Sequence, residues 1–193
     1  MNLIRAFIAI ELKDKNTIEK ILAFSSRLKQ NQPKLKIVKP ENLHMTVKFL
    51  GNITEYVALK IYEILKEDVN RSMFQGKTIE YSLRGVGQFN KFSVLWVKLI
   101  GDVQFLQQIK NTVEQLLYER LKIQKDKRTG FKPHLTIGRL RRDKVNYKTF
   151  DVLKKLINEN KNLEFGPFNI SQVKLKKSVL TPMLIAASIS RPV

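Results

Sequence analysis

The frame His-x-Thr-x occurs twice in this chain, as HMTV at 44–47 and HLTI at 134–137, and it holds the only two histidines among 193 residues. With nine Thr in that length, a Thr two places after each His arises by chance roughly one time in 460. Both frames lie in short apolar stretches, NLHMTVKFLG and FKPHLTIGRL, that read as strands. Side chains of a strand alternate between faces, so His44 and Thr46 share one face while Met45 and Val47 share the other. The same holds for His134 and Thr136 against Leu135 and Ile137. Each strand therefore offers a polar pair to a cleft and an apolar pair to a core. A pattern repeated in this way predicts two similar lobes in an approximate two-fold relation, with the His strands facing one another.

The rest of the chain supplies elements for two such lobes. Residues 3–11 alternate as a half-buried strand, and Ile18, Ile21, Leu22, Ser25 and Leu28 recur at helical spacing. The first His strand follows Pro40 and is predicted to stop at Gly51, after which Thr54 caps a helix carrying Val57, Ile61, Ile64, Leu65 and Val69. KTIEYSLRGVGQF and SVLWVKLI read as a hairpin, and Asp102 opens a helix with the stripe Leu106, Ile109, Val113, Leu116, Leu117 and Leu121. The charged loop KDKRTG precedes the second His strand, and a helix is predicted near 147–160. NISQVKLKKSVL and MLIAASIS then read as strands about a Thr181-Pro182 turn. The expectation is one α+β domain over residues 1–193, bilobal, each lobe a small antiparallel sheet backed by helices, with a cleft between them.

Composition narrows the chemistry. The absence of Cys excludes disulfides, thiolate catalysis and Cys-based zinc or iron–sulfur sites. Two histidines on separate segments, without an Asp/Glu cluster, make a poor metal site, so catalysis with no metal and no cofactor is predicted. Lys and Arg outnumber Asp and Glu by 36 to 17, a formal charge of +19. Such a surface fits a polyanion, either nucleic acid or an anionic membrane surface; a Lys-rich solubilising surface is the plainer reading. No apolar run approaches the roughly 18 residues of a bilayer span, and Arg5 and Glu11 interrupt the apolar start where an export signal would be continuous. A cytoplasmic monomer with no membrane partner is expected.

Unperturbed imidazole titrates at about pH 6.5, so near neutrality one histidine of a pair can act as acid and the other as base. Set on opposite sides of a phosphorus atom, such a pair suits an in-line displacement: one takes a proton from the attacking oxygen and the other gives one to the leaving oxygen. The Thr hydroxyls can donate to substrate oxygens. The residues alone do not assign which His is the acid.

These frames and their surroundings resemble the 2H phosphoesterase superfamily, and within it the RNA 2′,3′-cyclic phosphodiesterases, also called 2′-5′ RNA ligases. The resemblance runs through RAFIAIEL, VKPENLHMTVKFLGN, VGQFNKFSVLWVKL, FKPHLTIGRL and VKLKKSVLTP, nearly the full length. It implies the bilobal fold and metal-free hydrolysis of 2′,3′-cyclic phosphate ends of RNA, such as tRNA fragments, to 2′-phosphates, with reverse 2′-5′ ligation. It implies His44 as proton donor to the leaving 3′ oxygen, His134 as the proton acceptor that activates water, and Thr46 and Thr136 on the non-bridging oxygens. Arg139 completes the family's extended second frame, His-x-Thr-x-x-Arg. The Gly and Tyr that follow the late Thr-Pro in the family are replaced here by MLIAASIS. Two rival readings are a related 2H enzyme acting on a cyclic ADP-ribose phosphate or a 2′-5′ oligoadenylate, and an RNA-binding module without catalysis.

Neighbouring residues carry further expectations. Arg139 lies at an odd offset from His134, so it joins the His face only if a bulge at Gly138 redirects it; otherwise it belongs to the solvated run RLRRDK. Lys48 is expected on the His44 face, adding positive potential to the cleft. Phe131 is the candidate to stack on a terminal base, while Phe7 and Phe49 read as core. KDKR at 125–128, RLRR at 139–142 and KLKK at 174–177 form either a track for the RNA backbone or solvated faces.

Overall fold

Residues 3–127, 130–179 and 185–188 are described by a computed structural model. Its strands are β1 (Leu3–Glu11), β2 (Lys36–Ile37), β3 (His44–Thr54), β4 (Ser82–Phe89), β5 (Val94–Ile100), β6 (His134–Arg139), β7 (Glu164–Pro167), β8 (Lys174–Val179) and β9 (Ile185–Ser188). The α-helices are α1 (Lys15–Asn31), α2 (Glu55–Glu63), α3 (Arg71–Phe74), α4 (Val103–Leu121) and α5 (Phe150–Glu159), with α2 running through a π-helical stretch, Ile64–Asn70, into α3. The three long helices that open after a strand are capped. Asp14, Thr54 and Asp102 accept from the backbone N–H of Thr17, Val57 and Phe105 at 2.7, 3.3 and 2.9 Å. Each such cap is worth about 1 kcal/mol.

The strands form an antiparallel sheet in the order β7-β4-β5-β6-β3-β1-β8-β9, with β2 on β6. Its midpoint is the junction of the two His strands, joined through the single register pair Met45↔Leu135. Four strands lie on each side, which makes a His134 half (β7-β4-β5-β6) and a His44 half (β3-β1-β8-β9). Helices α1 and α5 back the first half, and α2 and α4 back the second. The chain crosses between them: α1 follows β1 yet packs on β6 and β7, and α4 follows β5 yet packs on β3. This reciprocal exchange is the two-fold repeat that the tetrapeptides announce, and it gives the bilobal α+β architecture expected.

The apolar members of both frames anchor the junction. Met45, Leu135 and Ile137 are 0–1% exposed and belong to one continuous core with Ile8, Ile10, Val97, Leu28 and Val113. Burying each such side chain contributes roughly 1.5–3 kcal/mol, so the junction cannot easily slip in register.

Some expectations need correction. Strand β3 does not stop at Gly51 but continues to Thr54; Gly51, at φ +71°, sits at a second register shift in the β1–β3 pairing, where Ala6 faces Gly51 and Phe7 faces Phe49. The segment before Ser82 contributes only an Ile79–Ile170 bridge, and β7 emerges from a stretch with no strand pattern. The helix expected near 147–160 is present, opening as a 3-10 turn, Tyr147–Thr149, that leads into α5. The Thr181-Pro182 turn lies outside the described residues. Among the described residues, no helix is long and apolar enough to cross a membrane.

Candidate active site

Both histidines are fixed by the same local device. His44 opens β3 directly after the 3-10 turn Pro40–Asn42, and its Nδ1 lies 2.6 Å from the Asn42 carbonyl oxygen. His134 opens β6 after Lys132-Pro133, and its Nδ1 lies 2.7 Å from the Lys132 carbonyl oxygen. A carbonyl only accepts, so Nδ1–H is the donor in each ring and Nε2 is the nitrogen left for chemistry. The pairing of Met45 with Leu135 sets His44 opposite Thr136 and Thr46 opposite His134, by the antiparallel sense of the strands. Neither Thr hydroxyl has a hydrogen-bond partner among the described residues.

Aromatic rings flank each imidazole. Phe7 lies 4.8 Å from the His44 ring, centroid to centroid. On the other side, Phe89 meets His134 edge-on at 4.9 Å and Trp96 approaches at 6.3 Å. Trp96 reaches that position because its partner on β4 is Gly87: a Cβ there would fall 2.2 Å from the indole ring.

Each frame is followed by a bulge. On β3, Ala9 pairs with Thr46 but Ile8 pairs with Lys48, so Val47 and Lys48 together oppose Ile8. On β6, Trp96 pairs with Thr136 but Leu95 pairs with Gly138, so Ile137 and Gly138 together oppose Leu95. A bulge restores the face one residue late. The fifth residue after each His thus returns to the His face, Phe49 from β3 and Arg139 from β6, and both are exposed. Arg139 takes the route that a bulge at Gly138 allows, and its charge acts on both histidines.

Lys48 is a correction. The bulge turns it away from His44 into the protein, where it is 2% exposed. Its Nζ donates to Glu114 Oε1 at 3.1 Å, Asp126 Oδ1 at 3.0 Å and the Gln124 carbonyl at 2.9 Å. Lys110 closes the network, at 2.6 Å from Glu114 and 2.7 Å from Asp126. Two cations and two carboxylates are thereby neutralised together under the His44 strand, and the start of the loop that leads to His134 is tied to them. Phe49 is also a correction, since it is 69% exposed rather than core; Phe7 is buried.

The remaining candidates separate. Phe131 is half-buried and packs against the core, so it is no open platform for a base. KLKK is not a solvated face: Lys174 and Lys176 donate to the two oxygens of Glu11 at 2.7 and 2.6 Å, and Lys176 is buried. Glu11 stands opposite His44 on β1. Within RLRR, Arg141 is engaged with Asp143 while Arg139 faces the cleft. In KDKR, Asp126 points into the ionic network, and Arg128 lies outside the described residues. Sequence reasoning missed Glu11, Phe89, Trp96 and Gly87. Their only signal is strand register, which is set by distant pairing.

Burial sets the protonation of the pair. His44 is pushed down to about 4, chiefly because burial disfavours the imidazolium, helped by the Lys176 and Arg139 charges. Burial lowers His134 as well, with Arg139 adding to it. Glu11 is held below its usual range by its two lysines, which outweigh its own burial. Both rings are therefore neutral near pH 7 before substrate arrives. Among the described residues no three His, Cys, Asp or Glu side chains gather as a metal ion would require.

Known proteins resemble this chain along most of its length. The profile of the AKAP7 2′5′ RNA ligase-like domain matches residues 6–182. The chain is similar to an RNA 2′,3′-cyclic phosphodiesterase of Methanothermobacter thermautotrophicus, 33% identical over 93% of this chain and 92% of that one. It is also similar to one of Archaeoglobus fulgidus, 34% identical over 92% and 93%. Its fold matches the crystal structure of Escherichia coli LigT complexed with 3′-AMP, with a TM-score of 0.67, 17% identity and coverage of 98% of this chain and 96% of that one.

Proposed function

The chain belongs to the RNA 2′,3′-cyclic phosphodiesterase (2′-5′ RNA ligase) family of 2H phosphoesterases, and from that premise we propose that it opens the terminal cyclic phosphate of RNA by acid–base catalysis between His44 and His134. The observation that carries the reading is the pair of imidazoles, each locked by an i−2 carbonyl, on either side of the β3–β6 junction. In hydrolysis, His134 Nε2 takes a proton as water attacks phosphorus. The P–O3′ bond breaks, and His44 gives a proton to O3′, leaving a 2′-phosphate. Thr46, Thr136 and Arg139 bind the non-bridging oxygens, where the charge moves in the transition state. With the 5′-hydroxyl of a second RNA in place of water as the nucleophile, the same steps in the same direction make a 2′-5′ linkage, with no nucleotide needed because the cyclic ester stores the bond energy.

The assignment of donor to His44 rests on family resemblance, and the free protein adds a condition. A ring held neutral by burial must gain its proton together with the substrate, whose phosphate anion offsets the Lys176 and Arg139 charges. Incubating an RNA that ends in a 2′,3′-cyclic phosphate with the protein in excess EDTA tests the whole reading. The expected result is a 2′-phosphate product that disappears in the His44→Ala/His134→Ala variant. Turnover that survives in that variant overturns it.

A further inference from the structure

The helices of the His44 half cover one face of β3, β1 and β8; the other carries no helix and is buried at Phe7, Ala9 and Lys176 but open to solvent around Leu3, Arg5, Phe49 and Asn52. On that helix-free face β1 places Leu3, Arg5, Phe7, Ala9 and Glu11 in alternation, and register sets Phe49 beside Phe7 and Asn52 beside Arg5. Phe49 and Leu3 are 69% and 62% exposed, and Arg5 and Asn52 are exposed. The strip begins in the active site: Glu11 stands opposite His44 at one end, and Arg5 lies beyond Phe7 toward the other.

We propose that this open sheet face is the track for the single-stranded RNA leading to the reacting end, with Arg5 as its phosphate contact and Phe49 as a ring on which a base stacks. The inference rests on the acid–base reading above and specifies the substrate as an oligonucleotide rather than a mononucleotide. The exposed ring selects this half, and Arg5 supplies its charge. Arg5 forms no ion pair among the described residues, and the carboxylate on its face, Glu11, has both oxygens taken by Lys174 and Lys176. Arg5 and Phe7 are two residues apart on one strand face, about 7 Å, and Phe49 pairs with Phe7, so the exposed ring of Phe49 lies one strand over and one pair along from the cation. Stacking and backbone neutralisation are what sequence-tolerant single-strand binding requires.

The open face of the His134 half offers less. Its rings, Phe89 and Trp96, are spent against His134 and against each other, at 5.0 Å between them. Its cations are Lys98, exposed beside His134, and farther out Arg84, which lies 3.7 Å from Glu164, a carboxylate that is 75% exposed and would repel a phosphate, so this half offers charge without a free ring. The free ring of Phe49 therefore directs the RNA out over β3 and β1 rather than over β5 and β4.

The test compares kcat/KM for a nucleoside 2′,3′-cyclic phosphate with that for an RNA of about ten nucleotides carrying the same end. The wild type is expected to favour the oligomer, and Arg5→Ala to shrink that preference about tenfold or more, as loss of a charge-assisted contact does. In parallel, the slope of log affinity against log salt for the oligomer should drop by about 0.7. Arg84→Ala should leave the preference intact. A preference lost in Arg84→Ala but kept in Arg5→Ala moves the strand to the other half and overturns the proposal, as does a wild type with no preference. Self-association that Arg5→Ala abolishes would assign the face to a second copy of the chain and would likewise overturn it. Failure of the wild type to turn over either substrate would instead overturn the underlying reaction.

Discussion

The two His strands carry the same frame and the same bulge, yet they differ at the fourth and fifth residues after His. On β3 these are Lys48 and Phe49; on β6 they are Gly138 and Arg139. The fifth residue faces the cleft in both, once as a ring and once as a cation. The fourth points inward in both, once into a buried ionic network and once against Leu35, whose Cδ1 would lie 3.2 Å from a Cβ on Gly138. The shared part is thus a backbone device that presents an imidazole and a hydroxyl. The divergent part differs in kind: β6 presents an exposed cation, whereas β3 presents an exposed ring and anchors the fold through Lys48.

The largest effect should come from the part that does not differ. His44→Ala and His134→Ala should each lower kcat by about 10² to 10⁴, the range for loss of a general acid or base, with small effects on KM. Equal losses measured under single-turnover conditions would support the pseudo-symmetric pair. A normal rate in either variant would break the symmetry and leave one His merely structural.

Lys48→Met tests the inward pair. It removes one cation from a network in which Glu114 and Asp126 are both held below their usual pKa range by the lysines. Loss of one partner of a buried ion pair costs about 3–5 kcal/mol, whereas Gly138→Ala has only to push Leu35 aside by a few tenths of an ångström and should cost about 1 kcal/mol. Urea unfolding of the two variants measures this. A Lys48→Met protein as stable as wild type would mean that the network is not formed.

How far the sequence goes is visible at these same positions. Period-two alternation places His44, Thr46, His134 and Thr136 on one face because nothing interrupts the strand between each His and its Thr. It fails at the next position of that face, Lys48, because a bulge inverts the faces beyond it. Gly138 flagged its bulge, being the residue type that tolerates irregular backbone; Val47-Lys48 carried no such flag. The helices were legible from their stripes and caps, but the exchange of α1 and α4 between halves, and the register that sets Glu11 against His44, depend on pairings between distant segments.

The histidines also differ in how strongly burial acts on them, and pH sharpens this. His44, with a folded-state pKa of about 4 against about 6.5 unfolded, binds fewer protons folded than unfolded between those values. Stability from this ring is full above about pH 6.5 and is lost as pH falls toward 4, up to about 3 kcal/mol. His134 adds in the same direction, and Glu11, Glu114 and Asp126, all lowered, lose their contributions at still lower pH. Unfolding free energies at pH 7, 6 and 5 should therefore fall, and the slope should flatten more in His44→Ala than in His134→Ala. An unchanged slope in His44→Ala would mean that its ring is not held neutral by burial.

The smallest and most discriminating comparison is between the outward pair, Arg139→Ala and Phe49→Ala. Arg139 lowers both histidines, so its removal should do two separable things. It should lower kcat/KM about tenfold or more by deleting a charged contact to phosphate, and it should move the pH dependence of kcat/KM upward because both imidazoles then protonate more readily. Phe49 carries no charge, so Phe49→Ala should raise KM by roughly fivefold through lost stacking and leave the pH profile where it was. Full pH profiles of the two variants decide the matter. A shifted profile in Phe49→Ala would mean that the ring acts by excluding water from His44 rather than by holding a base. An unshifted one in Arg139→Ala would mean that the guanidinium binds substrate without setting the charge state of the pair.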